Sequence, residues 1–279
     1  MPNRTIKLAL LGHPVQHSIS PVIMTALGML EKKQISYRTC DVVPGKLALA
    51  VSLLRHCGAR GFNVTVPHKR TVIPHLDDLS YEAARIGAVN AVRCAQGRLL
   101  GHNTDAAGFC EAIKDAGFAP EGREAVVFGA GGAARAAAFS LARLGARAIR
   151  ITTRRPGPAL ALIRDLAPGF PKTVFQTGPA GPAYLAVNAT PLGLPGYPDR
   201  SPAPAGWPGC RAALDLVYGR RTAFQRQALR LGARTQGGTG MLVCQALQAW
   251  EFWFGPLPRK RRQAWKEFIL EGISCALDS

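Results

Sequence analysis

The sequence predicts an α/β protein built from two units whose sheets are mostly parallel. Short apolar or alternating runs recur between helical stretches, a pattern typical of βα units. The 279 residues are nearly twice the length of a typical domain of about 150 residues, which favours two units over one. Disorder is excluded because 47% of the residues are hydrophobic and only 19% are charged.

The first part of the chain predicts an alternation of strands and helices. We expect strands at Ile6 to Leu11, Tyr37 to Val43, Gly61 to Val66, Val89 to Cys94 and Arg98 to Gly101. We expect helices at Pro21 to Lys32 and Lys46 to Cys57, with further helical turns around Lys69 to His75 and Tyr81 to Ile86.

A helix is expected from Asp105 to Asp115, because Gly117 and Pro120 would end it. A second βα series follows this helix. Its strands are expected at Glu124 to Phe128, Ala148 to Thr153, Leu185 to Asn188 and Ala213 to Val217. Its helices are expected at Gly132 to Leu144, Ala159 to Leu166 and Thr222 to Leu231. Two amphipathic helices, Met241 to Phe254 and Arg259 to Ile273, complete the chain.

The segment from Thr190 to Cys210 contains six prolines and is unusually long for a loop in a compact domain. Loops of this kind are often lids or binding loops, but a passive surface excursion is an equal alternative.

Several features predict a cytoplasmic protein. No apolar run approaches the roughly 18 residues that a membrane span requires, and the N-terminus lacks a signal-peptide pattern. The seven cysteines are scattered without a C-x-x-C pair, so neither a zinc ribbon nor a disulfide framework is indicated. We therefore expect no membrane association and no metal site.

The chain is basic, with 35 Lys and Arg residues against 17 Asp and Glu residues and a formal net charge of +18. Such an excess invites a nucleic-acid interpretation. The only cationic run, Arg259 to Arg262, lies at a predicted helix start without any nucleic-acid-binding signature beside it. We interpret it as a solvated helix face and expect no nucleic-acid partner.

A glycine-rich turn follows the apolar strand that ends at Phe128. Gly129 permits the tight turn, Gly131 allows close approach of a pyrophosphate, and Ala134 is small enough for the next helix to pack on the strand. The helix N-terminus offers N–H groups and partial positive charge to phosphates. The pattern predicts a Rossmann-type dinucleotide-binding domain; the alternative is a glycine-rich turn without a ligand.

The residues after the next strand indicate which dinucleotide is bound. An NAD site would place Asp or Glu there, but this strand ends in Thr153, Arg154 and Arg155. Guanidinium groups form charge-assisted bonds to a 2′-phosphate, whereas a carboxylate repels it. We therefore expect NADP; the alternative is that both arginines are ordinary surface residues.

Hydroxyl, amide and amine side chains cluster where predicted strands end, in segments 12–21, 61–69, 87–90 and 102–105. Asn63 and Thr65 alternate with valines and so would share one face of a strand. A polar face at this position indicates a polyhydroxylated ligand. Taken singly, some of these residues could instead be helix caps, Ser20 before one helix and Asn103 or Thr104 before another.

Taken together, these segments resemble the shikimate dehydrogenase family. The resemblance covers nearly the whole chain and appears in the family's order. Its motifs are Gly12 to Pro21, Asn63 to Lys69, Gly87 to Asn90, Asn103 to Asp105, the Gly129 turn, Asn188 to Thr190, Asp215 to Tyr218 and Gly240 to Gln245.

The resemblance implies NADP-dependent interconversion of 3-dehydroshikimate and shikimate, with Lys69 and Asp105 as the catalytic pair. It implies that substrate is bound by Ser18, Ser20 and Tyr218 at its carboxylate and by Asn63, Thr65, Asn90 and Gln245 at its ring hydroxyls. It implies cofactor contacts from Gly129, Ala130, Gly131, Gly132, Ala133, Thr153, Arg154, Arg155, Asn188, Thr190, Val217 and Gly238. The chain departs from the family at Ala106 and Thr239, often glycine and leucine there, and Thr239 leaves cofactor detail open.

The chemistry of these residue types fits the implied roles. Hydride transfer to a ring carbonyl leaves an alkoxide that needs a proton, and a lysine is ordinarily cationic at neutral pH. The spacing of Lys69 by itself is also compatible with a solvated lysine at a helix start.

We expect a substrate domain at 1–103, an NADP domain at 104–239, and C-terminal helices at 240–279 that return to the substrate domain. The expected partner is a small-molecule substrate, with a homodimer as a candidate assembly. Alternatives are a broader quinate/shikimate dehydrogenase, a catalytically silent nucleotide-binding regulator and a basic nucleic-acid binder.

Overall fold

The structure, a computed structural model, describes residues 5–278, with side chains described as far as Cys275. The chain divides into two compact units. The first comprises the residues up to Thr104 together with those from Gln245 onward, and the second comprises Asp105–Cys244. Within the described residues, no helix is both long and apolar enough to cross a membrane.

The elements follow one another as strands and helices in alternation. The strands are β1 (Ile6–Gly12), β2 (Ile35–Asp41), β3 (Gly61–Val64), β4 (Asp78–Leu79), β5 (Ala91–Ala95), β6 (Arg98–His102), β7 (Glu124–Phe128), β8 (Ala148–Thr152), β9 (Val174–Thr177), β10 (Ala183–Asn188), β11 (Cys210–Asp215) and β12 (Arg234–Gln236). The helices are α1 (Ser20–Leu30), α2 (Leu47–His56), α3 (Tyr81–Ile86), α4 (Asp105–Asp115), α5 (Gly132–Arg143), α6 (Pro156–Leu166), α7 (Ala223–Arg230), α8 (Thr239–Phe254) and α9 (Arg259–Asp278).

The sheet of the first unit has the order β2-β1-β3-β5-β6-β4. Strands β2, β1 and β3 are parallel, β5 is antiparallel to both β3 and β6, and β4 is parallel to β6. A core that includes Leu11, Phe62, Val64 and Val92 is buried on this sheet. The reversal at β5 brings the start of that strand to the edge at which β3 ends.

The sheet of the second unit has the order β12-β11-β10-β7-β8-β9, and every pair in it is parallel. Counted from β7, this is the strand order 3-2-1-4-5-6 of the dinucleotide-binding Rossmann fold. The predicted fold class, a Rossmann-type domain joined to a second α/β domain, is confirmed.

The long proline-rich segment, residues 189–209, contains neither a helix nor a strand, as its composition predicts. It is nevertheless fastened to its own unit. Trp207 is buried, its ring packs edge-on against Phe128, and it stacks on Phe224 of α7. Asp199 accepts the backbone N–H of Ala223, also on α7, at 2.8 Å. These contacts favour a fixed covering of the sheet over a free lid.

Candidate active site

The polar segments of the first unit leave its sheet at one edge. Asn63 pairs in register with Ala91, and Ala91 pairs with His102. The end of β3, the start of β5 and the end of β6 therefore lie side by side, and β1 ends next to β3 because the two strands are parallel. This topology brings together segments that are far apart in the sequence.

A chain of hydrogen-bonded side chains occupies this edge. The Tyr37 hydroxyl donates to Asn63 Oδ1 at 2.8 Å, and Asn63 Nδ2 donates to the Asn90 carbonyl at 3.0 Å. Asn90 Nδ2 donates to Thr104 Oγ1 at 2.8 Å and to Gln245 Oε1 at 3.3 Å. The Thr104 backbone N–H donates to Asn90 Oδ1 at 2.7 Å. Three of the predicted hydroxyl-binding residues, Asn63, Asn90 and Gln245, thus belong to one network.

Asn63 and Asn90 are almost fully buried, with 6% and 3% of their surfaces exposed. Burying amides is unfavourable unless they are hydrogen-bonded, and the hydrogen bonds of this network hold its members in one orientation. The arrangement is therefore suited to presenting fixed donors and acceptors to a polyhydroxylated molecule.

Thr65 and Lys69 follow β3, which ends at Val64 and not at Val66 as expected. The chain turns away there, at a turn that contains the cis Val66-Pro67 peptide and in which the His68 N–H donates to the Thr65 carbonyl. A Cβ added to Gly12 would lie 2.3 Å from Thr65 Cγ2, so only glycine allows the Thr65 side chain to pack there. The Val89 N–H donates to the Lys69 carbonyl at 2.7 Å, which fixes the Lys69 backbone beside the segment of Asn90.

The serine segment follows β1. The Ser20 N–H donates to Ser18 Oγ at 3.2 Å, and Ser20 is the first residue of α1. The N-cap is Ile19, and no side chain caps the helix, so the alternative of Ser20 as a helix cap is wrong. Ser20 is buried, and Ser18 is half-buried.

Asp41, at the end of β2, holds the segment that leads to the two serines. His13 Nδ1 lies 2.6 Å from Asp41 Oδ1, and Gln16 Nε2 donates to Asp41 Oδ2. The hydrogen bond from His13 holds the pKa of Asp41 below its usual range. One carboxylate thus ties down two positions of the segment between β1 and Ser18.

Two predicted ligands of the substrate belong to the second unit. Asp105 follows Thr104 directly, begins α4 and is buried with 4% of its surface exposed. Tyr218 follows β11 and is half-buried. Their participation in a common site with Lys69 and Ser18 remains a prediction.

The glycine turn of the second unit has the backbone that its sequence predicts. Gly129 has a φ of +110°, and a Cβ there would lie 2.9 Å from the Ala189 carbonyl oxygen. Gly131 is the N-cap of α5 and provides no side chain, so the first N–H groups of the helix are left for another acceptor. A Cβ at Gly131 would meet no atom within 4 Å. The space and the donors both suit a pyrophosphate at this helix N-terminus.

The end of β8 lies next to the glycine turn, because the Gly129 N–H donates to the Thr152 carbonyl at 2.9 Å. Thr153 follows, and its hydroxyl accepts the Arg155 N–H at 3.4 Å. The side chains of Arg154 and Arg155 are exposed, and among the described residues neither forms an ion pair with a carboxylate. Their charges are suited to a phosphate at this end of the sheet.

The ends of β10 and β11 complete this edge of the second sheet. Asn188 Oδ1 accepts from the Thr190 hydroxyl at 2.7 Å, and Asn188 Nδ2 donates to Asp215 Oδ1 at 2.9 Å. The Val217 N–H also donates to Asp215, at 3.0 Å, and the Val217 carbonyl accepts from Gly238 at 2.9 Å. The structure thus brings Asn188, Thr190, Val217 and Gly238 to the edge that carries the glycine turn.

Asp215 is fully buried, and burial raises its pKa from 3.8 to about 6, although Thr222, Val217 and Asn188 all donate to it. Its carboxyl group ties the residues after β11 to Asn188 on the neighbouring strand. Its role is to shape this edge of the sheet.

One group of possible metal ligands lies elsewhere in the second unit. Ligand atoms of Glu111, Asp115 and Cys244 lie within 4.8 Å of one another. Exposed acidic groups of this kind are common without an ion, so the group carries no conclusion about a metal.

Sequence reasoning missed Tyr37 and Thr104, which belong to the amide network, and Asp41, which holds the segment before the serines. Tyr37 and Asp41 stand at alternate positions of an edge strand, where polar residues are ordinarily read as solvent-facing. Only the pairing of β2 with β1 places them beside the site. Thr104 lies in a segment that the sequence singled out, but its bonds to Asn90 and Gln245 join residues far apart in the chain.

Comparison with known proteins identifies the family. Residues 10–92 match the profile described as "Shikimate dehydrogenase substrate binding domain". The shikimate dehydrogenase (NADP(+)) of Moorella thermoacetica is 43% identical over 259 residues, which cover 89% of this chain and 88% of that protein.

Solved structures agree with this result. The crystal structure of shikimate 5-dehydrogenase from Thermus thermophilus in complex with NADP(H) and shikimate has a TM-score of 0.81 and 38% identity, and covers 94% of this chain and 99% of that one. The ligand-free 5-ketofructose reductase of Gluconobacter sp. strain CHM43 has a TM-score of 0.76 and 31% identity, with coverages of 95% and 99%. Because relatives above 30% identity are matched over most of their length, this chain belongs to the shikimate dehydrogenase family.

Proposed function

We propose that this protein catalyses the reversible NADPH-dependent reduction of 3-dehydroshikimate to shikimate. The observation that carries the proposal is the amide network of Asn63, Asn90 and Gln245, which lies at the same sheet edge as the backbone of Lys69. A relative of this chain, from Thermus thermophilus, was solved in complex with NADP(H) and shikimate, which supports the same reaction. The first unit is then the substrate domain, and the second is the cofactor domain.

The residues of the second unit fit NADP. The open space at Gly131 and the uncapped start of α5 suit the pyrophosphate. Arg154 and Arg155 suit the 2′-phosphate, and the edge formed by Asn188, Thr190, Val217 and Gly238 continues the same surface. When bound, NADPH supplies the hydride for the reduction.

The chain's own residues supply the proton and the orientation of the substrate. The Lys69 ammonium donates a proton to the oxygen that becomes the hydroxyl group, and in the reverse direction it takes the proton back. Asp105 orients the Lys69 amine and holds the same hydroxyl. Ser18 and Ser20, with Tyr218, bind the carboxylate, while Asn63, Thr65, Asn90 and Gln245 bind the ring hydroxyls.

One experiment tests the reaction and the role of Lys69 together. Purified protein is incubated with shikimate or quinate and with NADP or NAD, and formation of the reduced cofactor is followed. Lys69→Ala should lower kcat by about 10²–10⁴-fold, because proton transfer loses its donor. Lys46→Ala, at an exposed lysine of the same unit, is the matched control and should leave kcat unchanged. Undiminished turnover by Lys69→Ala would contradict the mechanism.

The same assay separates the alternatives. Faster turnover of quinate, or of NAD, would favour a broader quinate/shikimate dehydrogenase. The Gluconobacter relative is named for a different ketone, so 5-ketofructose belongs among the substrates tested. No turnover with any pair would favour a silent nucleotide-binding regulator.

We infer a cytoplasmic location, since all seven cysteines are free thiols, as expected in a reducing compartment. A homodimer is the assembly that we propose to test, by sedimentation of the purified protein. Cell fractionation tests the location.

A further inference from the structure

We propose that Tyr37 is a positioning residue for the substrate: it holds the Asn63 amide in the orientation that leaves an N–H of Asn63 available for a ring hydroxyl. The inference deepens the proposed function and rests on it, because it takes Asn63 as a ligand of the substrate ring.

The geometry requires a side chain of the length of tyrosine. Tyr37 lies on β2 and Asn63 on β3, with β1 between them. Tyr37 is in register with Leu8, and Asn63 is in register with Leu10 two residues further along β1. Neighbouring strands are about 4.8 Å apart, so the Tyr37 and Asn63 side chains together bridge two strand spacings, and Tyr37 places its hydroxyl 2.8 Å from Asn63 Oδ1.

The orientation of the Asn63 amide follows from its two partners. The Asn90 backbone carbonyl can only accept, so the Asn63 atom that lies 3.0 Å from it must be the amide nitrogen. The amide oxygen then faces Tyr37, whose hydroxyl must donate. Burial raises the pKa of Tyr37, so this hydroxyl keeps its proton throughout the working range of pH.

This arrangement uses one of the two N–H groups on Asn63 Nδ2. Among the described residues, the second N–H of Asn63 has no protein acceptor, although the residue is only 6% exposed. A hydroxyl oxygen of the substrate is the acceptor that this N–H suits. Tyr37 contacts Asn63, the residue that binds the substrate, and does not contact the substrate itself. Its effect on the substrate must therefore pass through Asn63.

Tyr37→Phe keeps the ring and removes only the donor. Asn63 binds substrate equally in the ground state and the transition state, so its displacement should raise KM and spare kcat. We expect the KM for shikimate to rise about 10-fold and kcat to change by less than about 3-fold. Tyr81→Phe, at a tyrosine that is 78% exposed, is the control and should leave both constants unchanged.

Two further measurements separate this role from general loss of structure. Shikimate analogues that each lack one ring hydroxyl are compared in the wild type, Tyr37→Phe and Asn63→Ala. Both variants should raise KM for every analogue except the one that lacks the hydroxyl bound by Asn63. The double variant should be no worse than Asn63→Ala alone, because the two residues act in series. Should Tyr37→Phe fold poorly, as judged by its thermal midpoint, the analogue series with Asn63→Ala still tests the N–H.

An unchanged KM in Tyr37→Phe, equal effects on all analogues, or additive effects in the double variant would overturn the proposal. A wild-type protein that does not oxidise shikimate with NADP contradicts the proposed function itself. An active wild type combined with a Tyr37→Phe variant that behaves like it contradicts the Tyr37 role alone.

Discussion

Asp215 is a carboxyl group whose pKa is set by two opposing effects, burial and hydrogen bonding. It is buried at the end of β11, where Asn188, Val217 and Thr222 donate hydrogen bonds to it. These bonds favour the charged form, but burial disfavours it more, and the pKa rises from 3.8 to about 6. The neutral acid is therefore the favoured form in mildly acidic solution.

This shift predicts a pH dependence of stability. Between about pH 4 and pH 6 the native state keeps the Asp215 proton while the unfolded chain loses it, so the contribution of Asp215 to the free energy of unfolding falls as pH rises. The fall amounts to about 3 kcal/mol and is complete above pH 6. Denaturant titrations of the wild type and Asp215→Asn from pH 4 to pH 7 measure it, because the variant does not titrate there. A pH-independent difference between the two proteins would contradict the prediction.

Arg154 is the residue on which the choice of NADP over NAD is expected to depend. Its guanidinium is exposed at the end of β8, without a carboxylate partner among the described residues. A charge-assisted bond to the 2′-phosphate contributes about 1.5–3 kcal/mol.

Arg154→Ala should therefore raise KM for NADP about 10–100-fold and leave KM for NAD nearly unchanged. Steady-state kinetics with both cofactors, repeated for Arg155→Ala, measure the contribution of each arginine. Arg230→Ala, at an exposed arginine of α7, is the control. An equal rise in KM for NADP and for NAD would show that the arginine does not bind the 2′-phosphate.

At the scale of elements, the two glycines of the turn between β7 and α5 have different roles, one in folding and one in the predicted binding of the cofactor. Gly129 needs its positive φ, and a Cβ there would lie 2.9 Å from the Ala189 carbonyl, whereas a Cβ at Gly131 would enter open space. Gly129 is therefore required by the backbone conformation of the turn. Gly131 instead keeps the space in front of α5 open.

Alanine at the two glycines should accordingly have different effects. Gly129→Ala should lower the free energy of unfolding by at least about 1 kcal/mol, because alanine is strained at this positive φ and its methyl group would lie against the Ala189 backbone. Gly131→Ala should leave the thermal midpoint nearly unchanged while raising KM for NADP, because its methyl group occupies space meant for the phosphates. Thermal unfolding and cofactor kinetics on both variants test the contrast. A stable, fully active Gly129→Ala would contradict it.

Most of the elements could be predicted from local sequence. The helix at Tyr81–Ile86, the helix at Asp105–Asp115 and the strand at Glu124–Phe128 have the bounds that the sequence predicts. Three short strands, β4, β9 and β12, were missed. Each lies at the edge of its sheet, where two to four residues become a strand only because a neighbouring strand supplies hydrogen bonds.

At the scale of the whole molecule, the formal charge of +18 predicts how association depends on salt. Positive potential should attract the phosphates of the cofactor and the carboxylate of the substrate, and salt screens this attraction. We expect kcat/KM to fall as ionic strength rises from about 10 mM to 150 mM, with kcat little changed.

The same charge should not produce tight binding to nucleic acid, because the chain carries no nucleic-acid-binding signature beside its one cationic run. Fluorescence anisotropy with duplex DNA at physiological salt is the matching measurement. Tight binding under those conditions would revive the nucleic-acid alternative, and a salt-independent kcat/KM would contradict the role of the charge in capture.

The sequence alone determined the α/β class, the Rossmann-type glycine turn and the polar segments at the strand ends. These features depend on periodicity and on turn residues that act over a few neighbouring positions. Only the tertiary structure decided that β5 runs antiparallel, that Tyr37 reaches Asn63, that Asp41 holds the segment before the serines, and that burial raises the pKa of Asp215. Each of these features depends on strands that pair although they are far apart in the sequence. Local sequence patterns do not determine which strands become neighbours.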